Sequence, residues 1–151
     1  MINRYFLSIT AILTIIFSGS LFGQHFVPTY LECGENAYLS HGMNITLAVL
    51  NDMELEAGDE IGVFDGDLCV GSAVLLGPAA VDNILFFPMA AQDNTCFVDA
   101  EGDFENGFVS GNAILFKFYD ASEDFEVDSD SIIPNYLQGN EVFGNLGSTY
   151  V

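Results

Sequence analysis

Residues 57–76 read AGDEIGVFDGDLCVGSAVLL. Two apolar runs, Glu60–Phe64 and Leu68–Leu76, flank a polar centre, Asp65-Gly66-Asp67. Asp-Gly between β-prone runs is a strong hairpin signal, because the tight turn needs a positive φ that glycine adopts without steric cost. Gly62 and Gly71 fall inside the arms, where glycine marks a bulge or a close approach of other chain. The stretch predicts a buried β-hairpin whose tip carries the carboxylates of Asp65 and Asp67.

Similar signals recur on either side of it. Asn44–Leu50 (NITLAVL) alternates loosely and predicts a strand. Val81–Ala91 is a further apolar run, interrupted by Pro88, which places its end at a sheet edge. Ala113–Tyr119 (AILFKFY) predicts another strand. Its preface, Gly111-Asn112-Ala113-Ile114, parallels Gly58-Asp59-Glu60-Ile61, and the two runs end at Asp120 and Asp65. They read as equivalent strand–turn units of one fold. In Asp120–Asp130, Phe125 and Val127 alternate with Glu126 and Asp128, the pattern of a charged, half-exposed edge strand. Lys117 is expected to pair with a cross-strand carboxylate. No helical periodicity appears after residue 24. The expected class is all-β, an antiparallel β-sandwich of Ig-like or jelly-roll-like type.

The string AGDEIGVFDGDLCVG resembles a β-sandwich module of secreted and surface proteins of the Bacteroidota, often cargo of the type IX secretion system. Three further pieces fit that pattern in order: His25-Phe26-Val27-Pro28, Met43-Asn44-Ile45, and the run from Gly107 to Glu123. The resemblance spans nearly the whole chain after residue 24. It implies an extracellular, non-catalytic module of larger adhesin-like or surface-anchored proteins, and it carries over no defined binding residues.

Residues 1–23 read as a signal peptide. Arg4 is the positive start, Tyr5–Phe17 the apolar core, and Ser18, Gly19, Ser20 and Gly23 the small residues that follow. Cleavage before Gln24 fits, with cleavage after Ser20 the alternative. The expected location is extracellular or cell-surface, reached through the periplasm. Residues 24–151 form the module. Its final segment, Ser148-Thr149-Tyr150-Val151, reads like the opening of a strand, so the module either stands alone or is truncated before its last strand.

Charge excludes some partners. The whole chain has 22 acidic residues against two basic ones, a formal net charge of −20. Without the leader, Lys117 is the single basic residue left. Such a field repels phosphate backbones and anionic membrane surfaces. Partners are expected among extracellular ligands, polysaccharide or surface protein.

The acids have two readings, a solvated aggregation-resistant surface or a divalent-cation site. Asp99, Glu101, Asp103 and Glu105 alternate in an acidic loop, but Phe104 stands where an EF-hand needs glycine and Ser110 where it needs glutamate. An EF-hand is excluded. A looser calcium site built from Asp65, Asp67, Asp99, Glu101 and Asp103 is the candidate, and no other cofactor is expected. His25 and His41 are not at ligand spacing, so packing or surface roles are expected of them. Of the three cysteines, Cys69 reads as a small buried thiol. Cys33 and Cys96, in turn-rich segments, are the candidate disulfide, although three cysteines allow three pairings. Closing that loop of about sixty residues is worth about 4 kcal/mol on the chain-entropy account.

Catalysis is not expected. There is no G-x-S-x-G elbow, since Phe108 occupies the first glycine position before Val109-Ser110-Gly111. A carboxylate-pair glycosidase is the one exception that residue types allow, but the chain has no tryptophan for a sugar platform. Tyr30, Tyr38 and Tyr136 could stack on sugars or serve core and rim packing. The two non-catalytic readings are an adhesive or ligand-binding module and a structural spacer in a larger surface protein.

Overall fold

The computed structural model describes residues 24–32, 36–95 and 106–151. The strands among them are β1 His41–Ile45, β2 Val49–Leu50, β3 Met53–Glu54, β4 Glu60–Asp65, β5 Leu68–Val74, β6 Leu85–Met89, β7 Leu115–Asp120, β8 Phe125–Val127 and β9 Ser148–Tyr150. Short 3-10 turns occupy Thr29–Glu32 and Ser129–Ser131. The all-β class read from the sequence is the observed one.

The central hairpin is β4–β5. Asp65 pairs with Leu68, so the loop shrinks to Gly66-Asp67, and Gly66 leads it at φ 61°. The turn is therefore Gly-Asp, with glycine at the first central position as a type II′ turn requires, and Asp65 stays in the strand. Val63 faces Gly71 while Phe64 faces Cys69, which leaves Val70 as the extra residue of a bulge. Beside the bulge, a Cβ on Gly71 would meet Met89 Cγ and Pro88 O, each at 2.8 Å. Glycine is what lets β5 lie directly against β6, where the Ala90 N–H donates to the Val70 carbonyl at 3.0 Å.

One sheet has the order β5-β4-β7-β8, a second the order β6-β1-β9, and β2–β3 is a separate small hairpin. Pro88 lies in β6, an edge strand of its sheet, as expected. Two expectations are corrected. The pairing is not wholly antiparallel: β9 runs parallel to β1, with Asn44 opposite Tyr150. The long connection after β8 permits this, since parallel neighbours need an extended crossover rather than a tight turn. Strand β1 also begins at His41, not Asn44, and ends at Ile45. His41, Met43 and Ile45 are its inward positions, and the polar His41 hides that alternation from a reading based on apolar residues.

Both sheets feed one hydrophobic cluster. Met43, Ile45, Phe87 and Met89 come from the three-stranded sheet, and Ile61, Val63, Val70 and Phe116 from the four-stranded one. Full burial of such a side chain is worth about 1.5–3 kcal/mol. Strand β4 is also covered on its other face, where Phe64 joins Phe26 and Cys69 in a second, smaller cluster. That double burial explains why EIGVF is apolar without alternation.

Candidate functional site

The second cluster exists because residues 24–32 run across the outer face of the four-stranded sheet as a strap. Its anchor is Glu60, only 2% exposed, whose two carboxylate oxygens accept the backbone N–H groups of His25 at 2.7 Å and Phe26 at 2.8 Å. Burial raises the Glu60 pKa above its ordinary value, opposed by those two N–H groups. Ser72 Oγ donates to the Phe26 carbonyl at 2.7 Å, and Thr29 Oγ1 donates to the Cys69 carbonyl at 3.2 Å. The His25 ring stacks on Tyr119 at 3.8 Å between centroids, and its Nε2 lies 2.9 Å from Glu126 Oε2. The other oxygen of Glu126 takes the Lys117 ammonium at 2.9 Å, which also reaches Asp128 at 2.9 Å. These contacts, His25 first and Lys117 second, depress the Glu126 pKa. Lys117 thus has the cross-strand carboxylate partner expected of it. Under the strap the Cys69 thiol is buried, and desolvation pushes its pKa up to about 12. It is a packing thiol.

His41 is 2% exposed and fully engaged. The Gly144 N–H donates to its Nδ1 at 3.0 Å, so the proton sits on Nε2, which donates to Thr149 Oγ1 at 2.9 Å. Thr149 Oγ1 in turn donates to the Asn140 carbonyl at 3.1 Å. Burial lowers the His41 pKa. This relay ties β1 to β9 and to the turn at Gly144, a packing role as expected.

Of the candidate calcium residues, Asp65 and Asp67 are described, whereas Asp99, Glu101 and Asp103 lie outside the described residues. Asp67 is exposed at the hairpin tip. Asp65 accepts the Val109 N–H at 2.8 Å, and both its oxygens accept from the Asn112 amide at 2.9 and 3.0 Å. The base of the acidic segment is held as well: Asn106 Oδ1 accepts the Asp93 N–H at 2.9 Å while its Nδ2 donates to the Asp93 carbonyl at 2.8 Å. Asp65 and the chain leaving that segment are thus brought to the same end of the fold. Among the described residues, no three His, Cys, Asp or Glu side chains converge as a metal-binding set. The candidate disulfide, Cys33 with Cys96, also lies outside the described residues. Tyr30 and Tyr136 are half-buried and Tyr38 is exposed, and burial raises the phenol pKa of the first two.

Two concavities of similar volume share Leu50 and Asn51 in their walls: one of about 560 Å³ carries the acids Glu54, Glu56, Asp59, Asp120 and Glu123, and the other is mainly apolar. The two sheets meet where β5 touches β6. On the side away from that seam, a groove of about 510 Å³ lies between β7–β8 and the end of β1. Phe116, Phe118 and Val127 line it from the four-stranded sheet, Ile45 and Val151 from the other. Its lips are the segments 46–51 and 131–137. No single run of the sequence marks it, because short β2, turns and irregular chain all contribute to the lips. The exposed aliphatic side chains of Leu47, Val49 and Ile133 are its local signal. No protein-family model matches the chain, and no curated protein or solved structure matches it either.

Proposed function

We propose that this chain is a non-catalytic module of a secreted or cell-surface protein, built as a β-sandwich and acting by adhesion or ligand binding. The observation that carries the reading is the division of labour among its side chains. The buried carboxylates and histidine, Asp59, Glu60 and His41, each hold main chain, while an apolar groove opens on the surface of a strongly acidic chain. Exposed apolar surface on a chain this charged is a mark of recognition. The hairpin string, with its resemblance to extracellular modules, supports the location.

Pull-down on insoluble polysaccharides and on immobilised surface proteins tests it. Retention that saturates supports a binding module. Passage through every matrix supports a structural spacer in a larger surface protein instead.

A further inference from the structure

We propose that the groove receives an extended apolar peptide segment of a partner protein, flanked by lysine or arginine. The inference rests on the ligand-binding reading above and names its ligand class.

Shape and chemistry select the occupant. A volume of about 510 Å³ falls in the range of ligand sites. The lips present aliphatic side chains to solvent: Val49 is 45% exposed, Leu137 62% and Ile133 94%. Sugar rings are held by exposed flat aromatic faces, whereas here Phe116 is buried, Phe118 is half-buried and the exposed lips are aliphatic. Branched aliphatic side chains of a peptide are the better match. Strand β2 contributes Val49 and Leu50 to the lining and, among the described residues, pairs only with β3, which leaves its other edge for an added strand.

Charge selects the flanks. Asp52, Asp82 and Asp130 are exposed, and each is the chain neighbour of a lining residue: Asn51, Val81 and Ser131. Asp128 is not one of them, because it follows the lining residue Val127 along β8, points to the opposite face and pairs there with Lys117. The groove is therefore apolar within and acidic around its rim. At a net charge of −20 a second copy of this chain is repelled, as is any acidic segment, whereas basic flanks are drawn in.

The test is a random dodecapeptide library displayed on phage, panned on the whole module, with Ile133→Glu/Val49→Glu as the counter-selecting variant. Both side chains are exposed enough for the variant to fold, which its melting curve checks, and Leu76→Glu is the control on an exposed leucine outside the groove. The expected result is enrichment of peptides with an apolar centre and basic flanks. They should bind the Leu76→Glu control normally and the groove variant at least about tenfold more weakly. Neutralising the rim with Asp52→Asn, Asp82→Asn and Asp130→Asn should slow association and flatten its salt dependence. Enrichment that ignores the groove variant, or that selects neutral or acidic flanks, overturns the proposal. If no peptide is enriched while wild type and groove variant are retained equally on polysaccharide, the peptide proposal fails and the binding reading survives. If nothing binds in either assay, both fail.

Discussion

Asp59 and Asp65 stand at opposite ends of β4 and hold opposite ends of the neighbouring strand β7. Asp59 accepts the Ala121 N–H, just past β7, at 3.0 Å and the Glu56 N–H at 2.7 Å. Asp65 accepts the Val109 N–H and the Asn112 amide, in the turn that leads into β7. Gly58 and Gly111, each preceding one of these strands, both take positive φ, 103° and 98°. The two strand–turn units that look alike in the sequence are locked together by one carboxylate at each end.

The two carboxylates differ in burial, and so should the cost of removing them. Asp59 is 5% exposed and accepts two half-buried N–H groups, so Asp59→Ala should cost about 1–3 kcal/mol. Asp65 is partly exposed, water can replace it, and Asp65→Ala should cost about 1 kcal/mol. Urea midpoints at unchanged slope check the order. Because both Asp65 oxygens already accept hydrogen bonds, Asp65→Asn should destabilise equally in calcium and in chelator. A larger loss in calcium would mean that Asp65 is a ligand after all.

The strap should be released by a single methyl group. A Cβ on Gly62 would sit 2.8 Å from the Phe26 ring and 2.7 Å from Phe64 Cε2. One of the two rings must move, and Phe26 belongs to the segment with fewer ties to the core. Gly62→Ala should cost about 1–3 kcal/mol by overpacking. It should also speed alkylation of Cys69, read by peptide mass, and amide exchange at Phe26. If stability falls with Cys69 still protected, Phe64 has moved instead and the strap has stayed.

Legibility followed local chemistry. The β4–β5 hairpin, though not its Gly-Asp loop, the glycines of β4 and β5, the charged edge β8 and a carboxylate partner for Lys117 could be read because each depends on neighbours in sequence or on one strand pair. The parallel β1–β9 pairing could not, since it is set by where a long connection returns the chain. The inward place of His41 was hidden because its burial depends on Gly144 and Thr149, more than a hundred residues away. Nothing local marks Asp59 and Glu60 as buried, because their partners include backbone N–H groups of segments distant in sequence. The groove has no signature in any one run of sequence because its walls come from both sheets, from β2 and from the chain at 131–137.

Acid should weaken the fold at His41 and Glu126 and strengthen it at Glu60. The His41 pKa is lowered by burial, so below its ordinary value of 6.5 the unfolded chain takes up the proton first. Its stabilisation is full above that value and is lost as pH falls toward the native pKa. Glu126 behaves alike below 4.5, because its pKa is also depressed. The Glu60 pKa is raised, so above 4.5 the unfolded chain ionises first and stability is lost as pH rises toward the native pKa. A proton NMR titration should find His41 titrating below 6.5, and His41→Asn should lose less stability on acidification than wild type. An ordinary titration midpoint for His41 would refute the closed relay from Gly144 to Asn140.

Lys117 carries more of this fold than its partial exposure suggests. It bridges Glu126 and Asp128 at 2.9 Å each, and hydrogen bonds to Asp128 first and Glu126 second hold its pKa above the ordinary value. It also lies 5.2 Å from the centre of the Phe64 ring, beneath the strap. The stem is worth keeping in the comparison, so Lys117→Met is the informative change: it retains apolar cover on Phe64 and removes the charge. Partly exposed ion pairs contribute about 1 kcal/mol or less, but here the loss leaves Glu126 and Asp128 facing each other on the same face of an acidic edge strand. The expected cost is about 1–2 kcal/mol, shrinking in high salt as the repulsion is screened. Lys117→Met/Glu126→Gln should recover part of it, because the second change relieves the repulsion that the first exposes. If the double variant is as unstable as the sum of the single ones, Lys117 acts through its packing on Phe64 and not through its charge.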